Sequence, residues 1–167
     1  MHVVSGLFET FQEADQAVAA LNAIGYGTSN ISVLGQAEAL TSEHHHSEAA
    51  EDAGKGAGIG GLIGLLAGAA PFVIPGIGPV IGAGTLIAGA LSGAGVGAAA
   101  GGIIGLFKKW FGAEDEAVKV QTALEHGDIL VAVTTGRTGR EVVAQTLRDY
   151  GAYEVYQHQT ARARATA

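Results

Sequence analysis

Phe72-Val73-Ile74-Pro75-Gly76-Ile77-Gly78-Pro79 stands inside an interval, Gly56 to Phe107, that holds no charged side chain. The 9 Lys and Arg and 16 Asp and Glu of the 167-residue chain all lie outside it. Two prolines and two glycines in this octet cannot continue a helix, so they mark a turn between two arms. The arms, 56–74 and 80–107, each come close to or exceed the roughly 20 residues that cross a hydrocarbon layer of about 30 Å. Both carry glycine every fourth residue: Gly56, Gly60, Gly64 and Gly68, then Gly89, Gly93, Gly97, Gly101 and Gly105. Such a ladder flattens one helix face, so that backbones approach closely through van der Waals contact and weak Cα–H···O bonds. In water each glycine costs a helix about 0.8 to 1.0 kcal/mol relative to alanine, which favours a bilayer. Lys55 before the hairpin, and Lys108, Lys109, Trp110 and Phe111 after it, are membrane-interface residues that place both ends on the cytoplasmic side. The alternative is a dry oligomer core made by several chains in the cytoplasm, because Gly/Ala faces also build soluble bundles.

Outside this interval the chain reads as an ordinary α/β sequence. His2 to Phe8 is a short β-branched strand, Thr10 caps a helix with Phe11, Ala14, Ala17, Val18 and Leu21 at helical spacing, and Gly25 and Gly27 stop it. Asn30 to Gly35 is a second strand. Ala113 to His126 is a helix with Val118 and Leu124 turned inward, and Asp128 to Val133 is the most strand-like run in the chain. A further helix, Gly139 to Tyr150, puts Val143, Leu147 and Tyr150 on one face before a last strand through Tyr153, Val155 and Tyr156. Two interrupted βαβ halves predict an α+β, ferredoxin-like split βαβ domain, its four-stranded antiparallel sheet covered on one face by two helices. The expected organisation is 1–36 with 113–158 as that discontinuous domain, 37–55 as a polar linker, 56–107 as the inserted Gly/Ala-rich helical hairpin and 159–167 as a flexible tail. Strands two and three are neighbours in this topology, so both ends of the insert leave the sheet together.

Charge and composition exclude several classes of function. A net charge of −7 opposes general nucleic-acid binding, and no cysteine is present for a thiol nucleophile, a disulfide or a thiolate metal site. The first residues lack the basic and long apolar regions of a cleaved secretory signal. Gly56-Ala57-Gly58-Ile59-Gly60-Gly61 matches G-x-G-x-x-G but follows an acidic linker instead of a strand, so it carries no nucleotide site. His44, His45 and His46 are weak candidates for a divalent metal in a solvated linker, and His2, His126 and His158 read as surface or edge residues. Glu48, Glu51, Asp52, Glu114, Asp115 and Glu116 read as solvated helix ends. Ser5, Ser32 and Ser92 have no histidine and acid in a recognisable arrangement around them. Arg137, Arg140 and Arg148 either meet an anionic partner or lipid headgroups, or solvate the helix face opposite Val143 and Leu147. No catalytic residue, cofactor or resident metal is expected.

The opening Val3-Val4-Ser5-Gly6-Leu7-Phe8 with Glu13-Ala14 and Ala17-Val18, the strand Ile31-Ser32-Val33-Leu34, Pro75-Gly76-Ile77-Gly78-Pro79 with its alanine-glycine run, and Gly127-Asp128-Ile129-Leu130-Val131-Ala132-Val133 together resemble the bacterial general stress protein 17M-like family, also described as low-temperature-induced or heat-induced stress proteins. The resemblance covers nearly the whole chain. It implies a stress-associated role and an α/β part interrupted by a glycine-zipper hairpin, and it supplies no catalytic residue. The expected function is a non-enzymatic, membrane-associated stress protein that forms a homo-oligomer through its ladders. Partners are then other copies of the chain and a lipid bilayer, with no nucleic acid. A soluble structural assembly is the alternative, and an oligomeric pore is poorly supported because Thr85 and Ser92 are the hairpin's main polar side chains.

Overall fold

The computed structural model describes residues 1–41, 62–66, 68–74, 76–93 and 114–159. In chain order these form β1 (His2–Phe8), α1 (Phe11–Ala23), β2 (Ile31–Gln36), α2 (Ala37–Thr41), α3 (Leu62–Leu66), β3 (Ala70–Ile74), β4 (Gly78–Ala83), α4 (Thr85–Gly93), α5 (Glu114–Glu125), β5 (Ile129–Thr135), α6 (Arg140–Asp149) and β6 (Glu154–Gln159). The protein is α+β, with one six-stranded sheet in the order β3-β4-β2-β5-β1-β6. Every strand pair is antiparallel.

Local chemistry sets the element ends. Thr10 caps α1: its Oγ1 accepts from the Glu13 backbone N–H at 3.3 Å and donates to the Glu13 carboxylate at 2.9 Å, so the T-x-x-E pair closes through the hydroxyl. At the other end Gly25 has φ +97°, and the Tyr26 N–H donates back to the Leu21 carbonyl at 2.9 Å. The same left-handed glycine stop closes α5 at Gly127 and α6 at Gly151, each followed by a six-to-one backbone bond at 3.0 Å.

The sheet buries both faces. On one, Val4, Phe8, Ile31, Val33, Ile129, Val131 and Val133 lie under α1 and α6, against Ala14, Val18, Leu21, Val143 and Leu147. On the other, Leu7, Leu34, Leu130 and Tyr156 lie under Ala117, Val120 and Leu124 of α5 and Ile87 of α4. This corrects the expectation of a four-stranded sheet covered on one face. The continuous run Ile129-Leu130-Val131-Ala132-Val133 puts apolar side chains on both sides of β5, and each side must be covered. Two inward assignments are corrected as well. Val118 is exposed because the buried stripe of α5 runs through Ala117, Val120, Ala123 and Leu124, and Tyr150 is exposed as the residue that caps α6. The residues taken as a linker begin with α2, whose Leu40 is buried against Gly35, where a Cβ would stand 3.1 Å from Leu40 Cγ. The tail also starts later than 159, because Gln159 pairs with His2.

The largest correction concerns the uncharged interval. Residues 70–74 and 80–83, expected within the helical arms, are instead in the strands β3 and β4, added to the sheet beside β2. The turn at Gly76, Ile77 and Gly78 is real, but it is a β-hairpin turn: Gly76 has φ +92°, and the Ile77 N–H donates to the Ile74 carbonyl at 3.1 Å. Val73, Ile74, Val80 and Ile81 are β-branched, and such residues beside a short glycine loop favour paired strands over a helix. With β3 starting at Ala70, 14 residues remain between Gly56 and Ala69. As a helix these rise only about 21 Å, short of the roughly 30 Å hydrocarbon thickness. Among the described residues no helix is long and apolar enough to cross a membrane.

Candidate functional site

The described part of the uncharged interval wraps the β2 side of the sheet and is fastened at three points. The first is at α3: Asp15 of α1 accepts from the Leu62 backbone N–H at 2.8 Å, and Leu62 and Leu65 enter the core beneath α1. Asp15→Ala is therefore expected to lose about 1 kcal/mol, the usual worth of a capping side chain, read as a lower urea midpoint with unchanged slope. The second is the β4 to β2 ladder, Val33 opposite Ala83 through Gln36 opposite Val80. The third is the start of α4, where Ser32 Oγ accepts from the Leu86 N–H at 3.0 Å and Thr85 Oγ1 donates to the Ser29 carbonyl at 3.1 Å.

What this hairpin shows to solvent has no charge. Gly68, Ala70, Pro71, Val73, Ala88 and Gly89 are all exposed, Val73 at 74%. Pro71 lies in the outermost strand, where its missing N–H costs no ladder bond and blunts the edge against further strand pairing.

The glycine ladder divides accordingly. Gly64 and Gly89 are exposed on α3 and α4, Gly93 ends α4, and Gly68 lies in the turn after α3. Among the described residues nothing lies within 4 Å of a Cβ built on Gly89. Gly56, Gly60, Gly97, Gly101 and Gly105 lie outside the described residues, as do Lys55, Lys108, Lys109, Trp110, Phe111, Pro75 and the histidines His44, His45 and His46. Pro79 is exposed in β4. The glycines that the fold itself uses here were missed by the four-residue count. A Cβ on Gly82 would stand 2.5 Å from Ile87 Cγ2, and one on Gly84, at φ +96°, would collide with the Ile31 carbonyl oxygen.

A polar cluster lies on the α5 face, assembled from residues that the sequence holds far apart. Ser5 of β1 pairs with Tyr156 of β6, and Val3 pairs with His158, so Ser5, Tyr156 and His158 share one face. His158 Nε2 is 2.6 Å from Glu116 Oε2 of α5, and its ring stacks at 6.5 Å on that of Tyr156. Burial and the nearby carboxylates of Glu154 and Glu116 push the Tyr156 phenol up to about 12. Glu116 is thus half-buried beside His158, contrary to its reading as a solvated helix end. Ser5 Oγ is buried without a hydrogen bond among the described residues, so the serine lacks the imidazole partner that nucleophilic activation requires. His2, expected at the surface, is only 7% exposed. Groups of three or more potential metal ligands are absent among the described residues. Comparisons with protein-family models, curated proteins and solved structures gave no match to this chain.

Proposed function

We propose that this chain is a non-enzymatic, stress-associated protein that self-associates through the surface of its uncharged interval, with a ferredoxin-like domain as the body it displays. The strand order β2-β5-β1-β6, with α1 and α6 on one face, supports the ferredoxin-like reading, and β3 and β4 extend that sheet. One observation carries the functional reading: the solvent-facing residues of α3, β3, β4 and the start of α4 are small or apolar and uncharged. A monomer gains nothing from keeping such a surface free of charge, whereas a second copy packs closely on it. The stress association rests on the family resemblance.

Sedimentation velocity of the full chain in lipid-free buffer tests this reading. Wild type is expected as an oligomer, and Gly64→Leu with Gly89→Leu is expected to reduce association at least tenfold by pushing the faces apart. Unchanged association in that variant defeats the proposal. A second reading, bilayer attachment, is favoured by the uncharged residues that continue after β4 to Phe107 and end against Lys108, Lys109, Trp110 and Phe111. Lipid flotation with an alkaline wash separates the two: the bilayer reading requires the chain to float and resist the wash.

A further inference from the structure

The first turn of α6 stands over a buried histidine. In the register of β1, His2 lies opposite Thr135 of β5 and Gln159 of β6, and directly opposed residues share a sheet face. That face is the one α6 covers. Near the far end of the helix, a Cβ on Gly6 would stand 3.4 Å from Leu147 Cβ. From Gly6 back to His2 is four residues of strand, about 13 Å, and from Leu147 back to Gly139 is eight residues of helix, about 12 Å. A second contact fixes the same placement: a Cβ on Gly139 would collide with Thr135 Oγ1 and Tyr26 Oη, which hydrogen-bond to each other at 2.8 Å. His2 therefore sits beneath the start of α6.

Three features converge there. His2 is 7% exposed, and its Nδ1 is buried without a hydrogen-bond partner among the described residues. The N-terminus of α6 begins at Gly139 with no side-chain cap, and its first intrahelical bond runs from the Val143 N–H to the Gly139 carbonyl at 3.0 Å. This leaves the N–H groups of Arg140, Glu141 and Val142 without an intrahelical acceptor at the positive end of the helix dipole. Arg137 and Arg140 are exposed beside it and make no ion pair among the described residues. Glu141 is the one carboxylate in the first turn. Helix N–H groups, two guanidinium groups and an imidazole N–H match the acceptor-only oxygens of a small tetrahedral anion.

We propose that the first turn of α6, with His2, Arg137 and Arg140, binds an oxyanion of the phosphate class. Without the anion, burial, the Met1 amino group, Arg140 and Arg137 hold His2 below its ordinary range. An anion placed among these cations opposes their repulsion, so binding raises the affinity of His2 for a proton, and protonation in turn tightens binding.

Calorimetry of the full chain with sulfate, at ionic strength held constant with chloride, tests this site. Sulfate does not titrate near neutrality, so any proton exchange comes from the protein. Saturable heat is expected, with proton uptake at pH 6 measured in two buffers of different ionisation enthalpy. Affinity should fall at least tenfold in Arg137→Ala/Arg140→Ala, whose exposed substitutions leave the core intact. His2→Phe should abolish the proton uptake. Replacing sulfate with inorganic phosphate should compete for the same site. No saturable heat, unchanged affinity in the arginine variant, proton uptake that survives His2→Phe, or a lack of competition would each overturn the proposal.

Discussion

Gly84→Ala is expected to be among the most damaging single-methyl substitutions in this chain, at about 2 to 5 kcal/mol of stability. Two costs add. The residue has φ +96°, a left-handed conformation that an L side chain adopts at a cost of about 1 to 2 kcal/mol. Its Cβ would also collide with the Ile31 carbonyl oxygen and come within 2.6 Å of Ser32 Cα, both backbone atoms of β2 that cannot swing aside. Relief requires β4 and α4 to shift away from β2, which weakens the Ser32 to Leu86 hydrogen bond and exposes Ile87. Gly76→Ala is the control. Gly76 has φ +92°, but among the described residues nothing lies within 4 Å of where its added methyl would stand, so only the conformational cost of about 1 to 2 kcal/mol applies. Urea unfolding of the two variants side by side measures the difference. Equal losses would mean that β4 and α4 do not press on β2 as described.

How far the sequence reveals this architecture depends on where each signal is stored. The strands β1 and β5 announce themselves through β-branched runs, and the helix boundaries through Thr10 with Glu13 and through Gly25, Gly127 and Gly151. These are local rules, and local rules survive translation into structure. The pairing of β2 with β5 follows from the split βαβ pattern. The strands β3 and β4 were not legible, because Ala70 to Ile74 and Gly78 to Ala83 are short apolar runs with no alternation to separate strand from buried helix. Counting glycines at four-residue spacing favoured helices, whereas the deciding cues were the β-branched pairs Val73-Ile74 and Val80-Ile81 beside a short glycine loop. The burial of His2 and the meeting of Glu116 with His158 depend on strand register and on partners distant in the chain, and no local pattern encodes them.

Leu62→Ala decides whether the uncharged interval belongs to the fold or is an appendage carried by it. Leu62 is fully buried among the residues under α1, and its backbone N–H is held by Asp15. Removing the side chain from that site is expected to cost about 2 to 5 kcal/mol, the transfer term plus the cavity left behind. Val73 lies in the same interval but is 74% exposed on the outermost strand. Val73→Ala should therefore change stability by no more than about 0.5 kcal/mol. An independent membrane hairpin predicts a different result for Leu62→Ala in lipid-free buffer: neither substitution would move the unfolding midpoint of the α/β body, because neither side chain would be part of its core. Circular dichroism during urea titration, followed at the helix band, separates the two cases. A large loss for Leu62→Ala with none for Val73→Ala places the interval within the cooperative core. Oligomer size measured on the same Val73→Ala sample then shows whether the exposed face acts between chains while the buried face holds each chain together.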